Sequence, residues 1–110
     1  MLKLAMSPAA SALLRSLIAR ACVPRNRILL SNVRSVDWQS LTFIGERHEF
    51  DLRIIPPESQ AISDRICRGL LCAEFDLPGQ ILADIAVRGH PRCTKDGAIL
   101  LSIEALTIEE

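Results

Sequence analysis

The stretch Trp38-Gln39-Ser40-Leu41-Thr42-Phe43-Ile44-Gly45-Glu46-Arg47-His48-Glu49-Phe50-Asp51-Leu52-Arg53-Ile54-Ile55 decides the fold. Apolar and polar residues alternate on both sides of Gly45-Glu46, the period of a half-buried strand. A glycine opening a two-residue loop supplies the φ > 0 that a type II′ turn needs. The stretch therefore predicts a β-hairpin turning at Gly45-Glu46, which sets Phe43 opposite His48, Leu41 opposite Phe50 and Trp38 opposite Arg53. One face then carries Leu41, Phe43, Phe50, Leu52 and Ile54, with His48 and Gln39 at its margins. The other carries Trp38, Ser40, Thr42, Glu49, Asp51 and Arg53. A slip by one residue would turn Phe50 and Leu52 into water, so the pairing is well specified. Trp38 against Arg53 would make a cation–π contact of about 0.5–1 kcal/mol at an exposed site.

Outward from this hairpin, the 110 residues suit a single domain, 1–110, with residues 1–6 loosely ordered. Nearly half the residues are apolar, which argues against global disorder. No apolar run approaches the roughly 20 residues needed to span a bilayer. Net charge is zero but uneven: residues 1–36 hold six basic residues and no acid, and the remainder is acidic. The acidic body disfavours nucleic acid as a partner. Five glycines and no Gly-rich phosphate loop exclude the common nucleotide-binding motifs. The four cysteines lack the spacing of a disulfide-rich secreted module and read as reduced thiols in a cytoplasmic protein.

N-terminal to the hairpin, Ser7-Pro8 reads as an N-cap with proline at the first helical position. The helix runs to about Cys22 and ends before Pro24, with Leu13 or Leu14, Leu17, Ile18 and Ala21 at helical spacing. It suits an ordinary docking helix; the acid-free, Arg-containing residues 1–22 also have the composition of an organelle transit peptide. Arg27 to Val36 is a strand that either stands alone or runs through a bulge into the hairpin.

C-terminal to the hairpin, Pro56-Pro57 opens a helix from Glu58 to about Ala73, with Ile62, Ile66 and Leu70 on one stripe and an Asp64–Arg68 pair. Gly69 inside that helix suggests close helix–sheet packing. Leu77-Pro78-Gly79-Gln80 fits a type II turn. In Gln80 to Arg88, Ile81, Ala83, Ile85 and Val87 share one side. A loop at Gly89–Gly97 precedes a last strand, Ala98 to Ile108, with Ile99, Leu101, Ile103 and Ala105 on one face. The class is α+β: an antiparallel sheet of four or five strands with two helices, in the order α-β-β-β-α-β-β.

Aligned faces would gather Trp38, Asp51, Arg53, Asp84, Arg88 and Glu104 on the side away from the core, with Leu82, Leu100, Leu106 and Ile108 among them. So many leucines on a charged face imply a cover: helix 1, a second copy or another protein. The first functional expectation is accordingly a small non-catalytic binding or assembly module, dimeric, acting through a sheet face or edge. No cofactor and no membrane are expected. A second is a small hydrolase or transferase using His48, Glu49 and Asp51, the densest set of acid–base side chains near a turn. A third is zinc held by Cys67, Cys72, His90 and Cys93, which are the right ligand types. Their spacing opposes it, since Cys67 and Cys72 point about 140° apart on one helix and converge only if the helix ends between them. A Cys93–His90 nucleophile pair lacks any sign of an oxyanion hole.

Overall fold

A computed structural model describes residues 6–110; the loose start expected for residues 1–6 lies, apart from Met6, outside the described residues. Helix α1 spans Pro8–Arg20, strand β1 Ile28–Gln39, strand β2 Ile44–Ile54 and helix α2 Ser59–Cys67. Strands β3 (Gln80–Val87), β4 (Arg92–Cys93) and β5 (Ile99–Glu109) follow. The α+β class, the antiparallel sheet and the two helices are as the sequence implies. The sheet runs β1-β2-β5-β3, with β4 also on β5, so β2 and β5 are its centre.

The hairpin is where the sequence reading needs correcting. The turn is Ser40–Phe43, and Gly45 and Glu46 lie inside β2. Trp38 pairs with Gly45, not Arg53. Ser40 makes the turn: its amide donates to the Phe43 carbonyl at 2.8 Å, and its hydroxyl accepts the Phe43 amide at 3.1 Å. Leu41 is consequently fully exposed and Phe43 half-exposed rather than in the core. Gly45 is needed for another reason. A Cβ there would stand 1.9 Å from the Thr107 carbonyl oxygen, so β2 passes β5 closer than any side chain allows. Arg27 to Gln39 is one continuous run, a single-turn 3-10 segment leading into β1, with a bulge at Ser31 that shifts the register between Leu30 and Asn32.

Both helices pack on one face of the sheet. Leu13, Leu14 and Leu17 of α1 and Ile62 and Ile66 of α2 close over Phe50, Leu52, Ile54, Leu101, Ile103 and Ala105. Helix α1 is therefore part of the core, as the docking-helix reading expects. Truncating one of its fully buried leucines to alanine costs about 2–5 kcal/mol at such sites. Its start is as read: the Ser7 hydroxyl accepts the Ala10 amide and Pro8 occupies the first turn. Arginines stitch the helices together, Arg20 donating to the Ile66 carbonyl at 3.0 Å and Arg65 to that of Ala21 at 2.8 Å.

Helix α2 is shorter than its pattern suggests. Gly69 adopts φ +63° and breaks it, a 3-10 turn at Leu70–Cys72 following. Nothing lies within 4 Å of where a Gly69 Cβ would be, so the glycine serves a left-handed backbone and not close packing. Asp64 accepts from Gln60 at 2.9 Å, and no Asp64–Arg68 ion pair forms among the described residues. The turn at Leu77–Gln80 is as expected, with Gly79 at φ +73° and the Gln80 amide donating to the Leu77 carbonyl at 3.0 Å. In β3 a bulge at Ala83 reverses the sides: Leu82 joins Ile85 and Val87 toward the core, and Ile81 is exposed.

Candidate binding surface

The face of the sheet opposite the helices is built by alternation, interrupted at the bulges of Ser31 and Ala83, and the registers arrange it in rows. At one end Trp38, Gly45, Ile108 and Ile81 lie side by side; Val36, Arg47, Leu106 and Asp84 come next. Arg34, Glu49, Glu104 and Ala86 form the middle row. Asn32, Asp51, Ser102 and Arg88 follow, then Leu29, Arg53, Leu100 and Arg92. All six residues expected on a binding surface, Trp38, Asp51, Arg53, Asp84, Arg88 and Glu104, do share this face. Leu100, Leu106 and Ile108 are there too; Leu82 is not.

The charges in the middle of the face neutralise one another. Arg88 reaches Glu49 at 3.1 Å and Glu104 at 3.6 Å. Asp51 accepts the Ser102 hydroxyl at 2.7 Å. Arg53 pairs with Asp96 and not with Trp38, and a cation–π contact is made elsewhere, by Arg20 over Phe75 at 6.0 Å. The Asp96 carboxyl is held below the usual carboxylate range by the Thr94 hydroxyl, the Ala98 amide and the Arg53 guanidinium. Exposed pairs of this kind are screened by solvent and contribute little. Glu49, Asp51 and Glu104 thus belong to a cross-strand ladder, and among the described residues no three acids gather around a position for a metal ion.

The Trp38 end differs. Val36 and Ile81 are exposed, Trp38 and Ile108 half-buried, and the turn beyond them presents Leu41, Phe43 and Ile44 to solvent. Beside it, on the helix side, a cleft of about 510 Å³ separates the start of α1 from the ends of β1, β2, β3 and β5. Pro8, Trp38 and Ile44 line it, together with Asp37, Glu46 and Glu109. The signal for this exposed tip was Ser40, whose hydroxyl can cap amides two and three residues on; the neighbouring glycine outweighed it.

His48 is separated from its expected partners. Its side chain points to the core face and is fully buried, whereas Glu49 and Asp51 point to the other side. The three share no site. His48 instead lies between two hydroxyls, Ser35 Oγ at 2.7 Å from Nδ1 and Thr107 Oγ1 at 2.8 Å from Nε2. A neutral imidazole has one N–H and one bare nitrogen, and a hydroxyl can serve either, so the ring is satisfied without charge. Burial holds its pKa below the ordinary value, and the Glu46 carboxylate offsets part of that. Ser35 and His48 have nucleophile–base spacing, yet neither lines the cleft.

The zinc candidates are not gathered: among the described residues no three His, Cys, Asp or Glu side chains could hold a metal ion. Cys72 and Cys93 are exposed free thiols, and burial pushes the Cys67 thiol up, away from the thiolate that metal binding and nucleophilic attack require. No described helix is long and apolar enough to cross a membrane. Compared with known proteins, the chain matches no family model and no curated protein sequence.

Proposed function

We propose that this chain is a non-catalytic assembly module that pairs with a second copy of itself through the helix-free face of its sheet. The observation that carries this reading is the placement of both helices on one side. An antiparallel sheet can turn one face to water, but its outward residues are then polar. Here Leu29, Val36, Trp38, Ile81, Leu100 and Ile108 interrupt the charged ladder. Charge favours a second copy as the occupant. Arg34 and Arg47 lie toward the β1 side of the face and Asp84 on β3, and none of the three has an ion-pair partner among the described residues. Two copies stacked in opposite strand order bring Arg34 and Arg47 of each over Asp84 of the other, the self-complementarity of a two-fold interface.

Native mass spectrometry of the reduced, untagged protein tests this, with Val36→Asp and Ile81→Asp as variants. Both positions are exposed, so the variants keep the fold, which far-ultraviolet circular dichroism checks. The expected result is a dimer for the parent chain and a monomer for both variants. A parent chain that stays monomeric at high micromolar concentration, or a dimer indifferent to both substitutions, overturns the reading.

A further inference from the structure

The two helices finish side by side, Arg20 of α1 donating to the Ile66 carbonyl and Arg65 of α2 to that of Ala21, and this end of the molecule is basic. Arg20, Arg25, Arg65 and Arg68 lie there, with Arg15 further back along α1. None of the five makes an ion pair among the described residues; the pairs that form use Arg53 and Arg88. Every acid of the sequence stands at position 37 or beyond, so residues 1–5 bring no counter-charge. Helix ends account for two of these cations, since Arg20 and Arg65 meet carbonyls that the last turns leave unbonded. They do not account for Arg15, which is exposed and donates only to Ser11 Oγ at 3.1 Å. Nor do they account for Arg25, which is exposed and has no side-chain hydrogen bond among the described residues.

Arg15 and Arg25 border one groove of about 460 Å³, and Ile18, Ala19, Val23 and Pro24 give it an apolar lining. Cys22, at φ +57°, turns the chain out of α1, so that Pro24 and Arg25 come alongside the helix. The groove lies on the helix side of the molecule, away from the sheet face assigned to self-assembly. An apolar groove between two unpaired guanidiniums has a defined complement. A flat bilayer surface does not fill a groove. A fatty acid carries a single carboxylate, whereas Arg15 and Arg25 stand on different chain segments and each lacks one. We infer that the groove receives an acidic segment of another protein, with a leucine-sized side chain against Ile18 and Val23 and carboxylates to either side on Arg15 and Arg25. Guanidinium suits that role, because its planar fork takes both oxygens of a carboxylate.

Fluorescence anisotropy of labelled synthetic peptides tests this. The probes are a short peptide with leucines flanked on both sides by glutamates, the same peptide with lysine for glutamate, and the same with serine for leucine. The glutamate–leucine peptide is expected to bind saturably and the other two not, since one lacks the charge and the other the apolar anchor. Arg15→Gln and Arg25→Gln are each expected to weaken it about threefold and together about tenfold. Both positions are exposed, so the fold is kept, which circular dichroism checks. Lys95→Gln, which removes one charge from a distant loop, is expected to leave binding unchanged. Equal binding of all three peptides, no loss in the double variant, or equal loss in Lys95→Gln overturns the inference. So does tighter binding to phosphatidylserine vesicles than to the peptide, which would make the occupant a membrane. An apparent Kd that rises with protein concentration would put a second copy in the groove and overturns it as well. Val36→Asp is expected to bind the peptide as the parent chain does, so the result is read apart from the face-to-face dimer.

Discussion

Gly45 on β2 lies against the backbone of Thr107 on β5 so closely that a Cβ on it would stand 1.9 Å from the Thr107 carbonyl oxygen. The obstacle is backbone in the central strand pair and has no flexible end to swing aside. Gly45→Ala is therefore expected to destabilise by about 1–3 kcal/mol, the usual cost of overpacking, or more if the ladder opens. Urea denaturation followed by circular dichroism measures it. A change below a few tenths of a kcal/mol would show that the two strands separate freely.

Thr107 also holds His48 from the far side of the ring. Thr107→Val keeps the shape and removes the hydroxyl, which leaves the buried Nε2 without its partner. The expected loss is about 1–3 kcal/mol. Ser35→Ala, at a half-buried position where water can replace the hydroxyl, is expected to cost less. Thermal melts of the two variants side by side give the comparison.

His48 should also make stability depend on pH. Because burial lowers its pKa in the folded chain, the unfolded chain binds the proton first, near pH 6.5. Between that pH and the lower folded pKa the unfolded state holds more protons, so stability falls as the pH drops through the window and is complete above it. The parent chain is expected to lose Tm as the pH is lowered through about 6.5, and His48→Gln to lose less. Parallel slopes for the two proteins would remove His48 from the account.

At Gly69 the backbone is left-handed and the space around it is open. Gly69→Ala is thus strained without being crowded, with an expected cost of about 1–2 kcal/mol from the left-handed conformation. Gly69→Asn, which tolerates that region, should recover part of it. Equal melting temperatures for the parent chain and Gly69→Ala would show that the backbone there can relax into a right-handed turn.

Arg88, between Glu49 and Glu104, looks central and is expected to matter little for the isolated fold. In the Val36→Asp background, expected to be monomeric, Arg88→Ala should change stability by less than about 1 kcal/mol, and raising the salt concentration should shrink the difference. A larger, salt-insensitive loss would mean that the ladder is buried under something in solution.

Much of this fold was legible because burial parity survives errors of register. The partner of Trp38 moved from Arg53 to Gly45, an even number of positions along β2, so every residue of β2 kept its face and Asp51, Arg53, Arg88 and Glu104 were grouped correctly. What failed were single residues with two physical uses. Glycine marks a turn or a close backbone approach; Gly45 is the second, and reading it as the first drew Leu41 and Phe43 into the core. In β3 the bulge at Ala83 has no local signature, so Ile81 and Leu82 exchanged sides. The cleft was not legible at all, because Asp37, Gln80 and Glu109 meet only through the sheet order and Ser7 joins them only through the docking of α1.

That order has a consequence in time. Strand β2 finds one neighbour, β1, immediately before it in the chain, but its other neighbour is β5, which pairs Ile108 with Gly45. A nascent chain can close the β1–β2 ribbon early, yet Phe50, Leu52 and Ile54 then wait, with one edge of β2 unpaired, while α2, β3 and β4 are synthesised. Such distant pairing slows folding and leaves apolar strand edges open to intermolecular contact in the interval. The most hazardous stretch of this protein's life lies between the appearance of its first hairpin and the arrival of the strand that completes its centre.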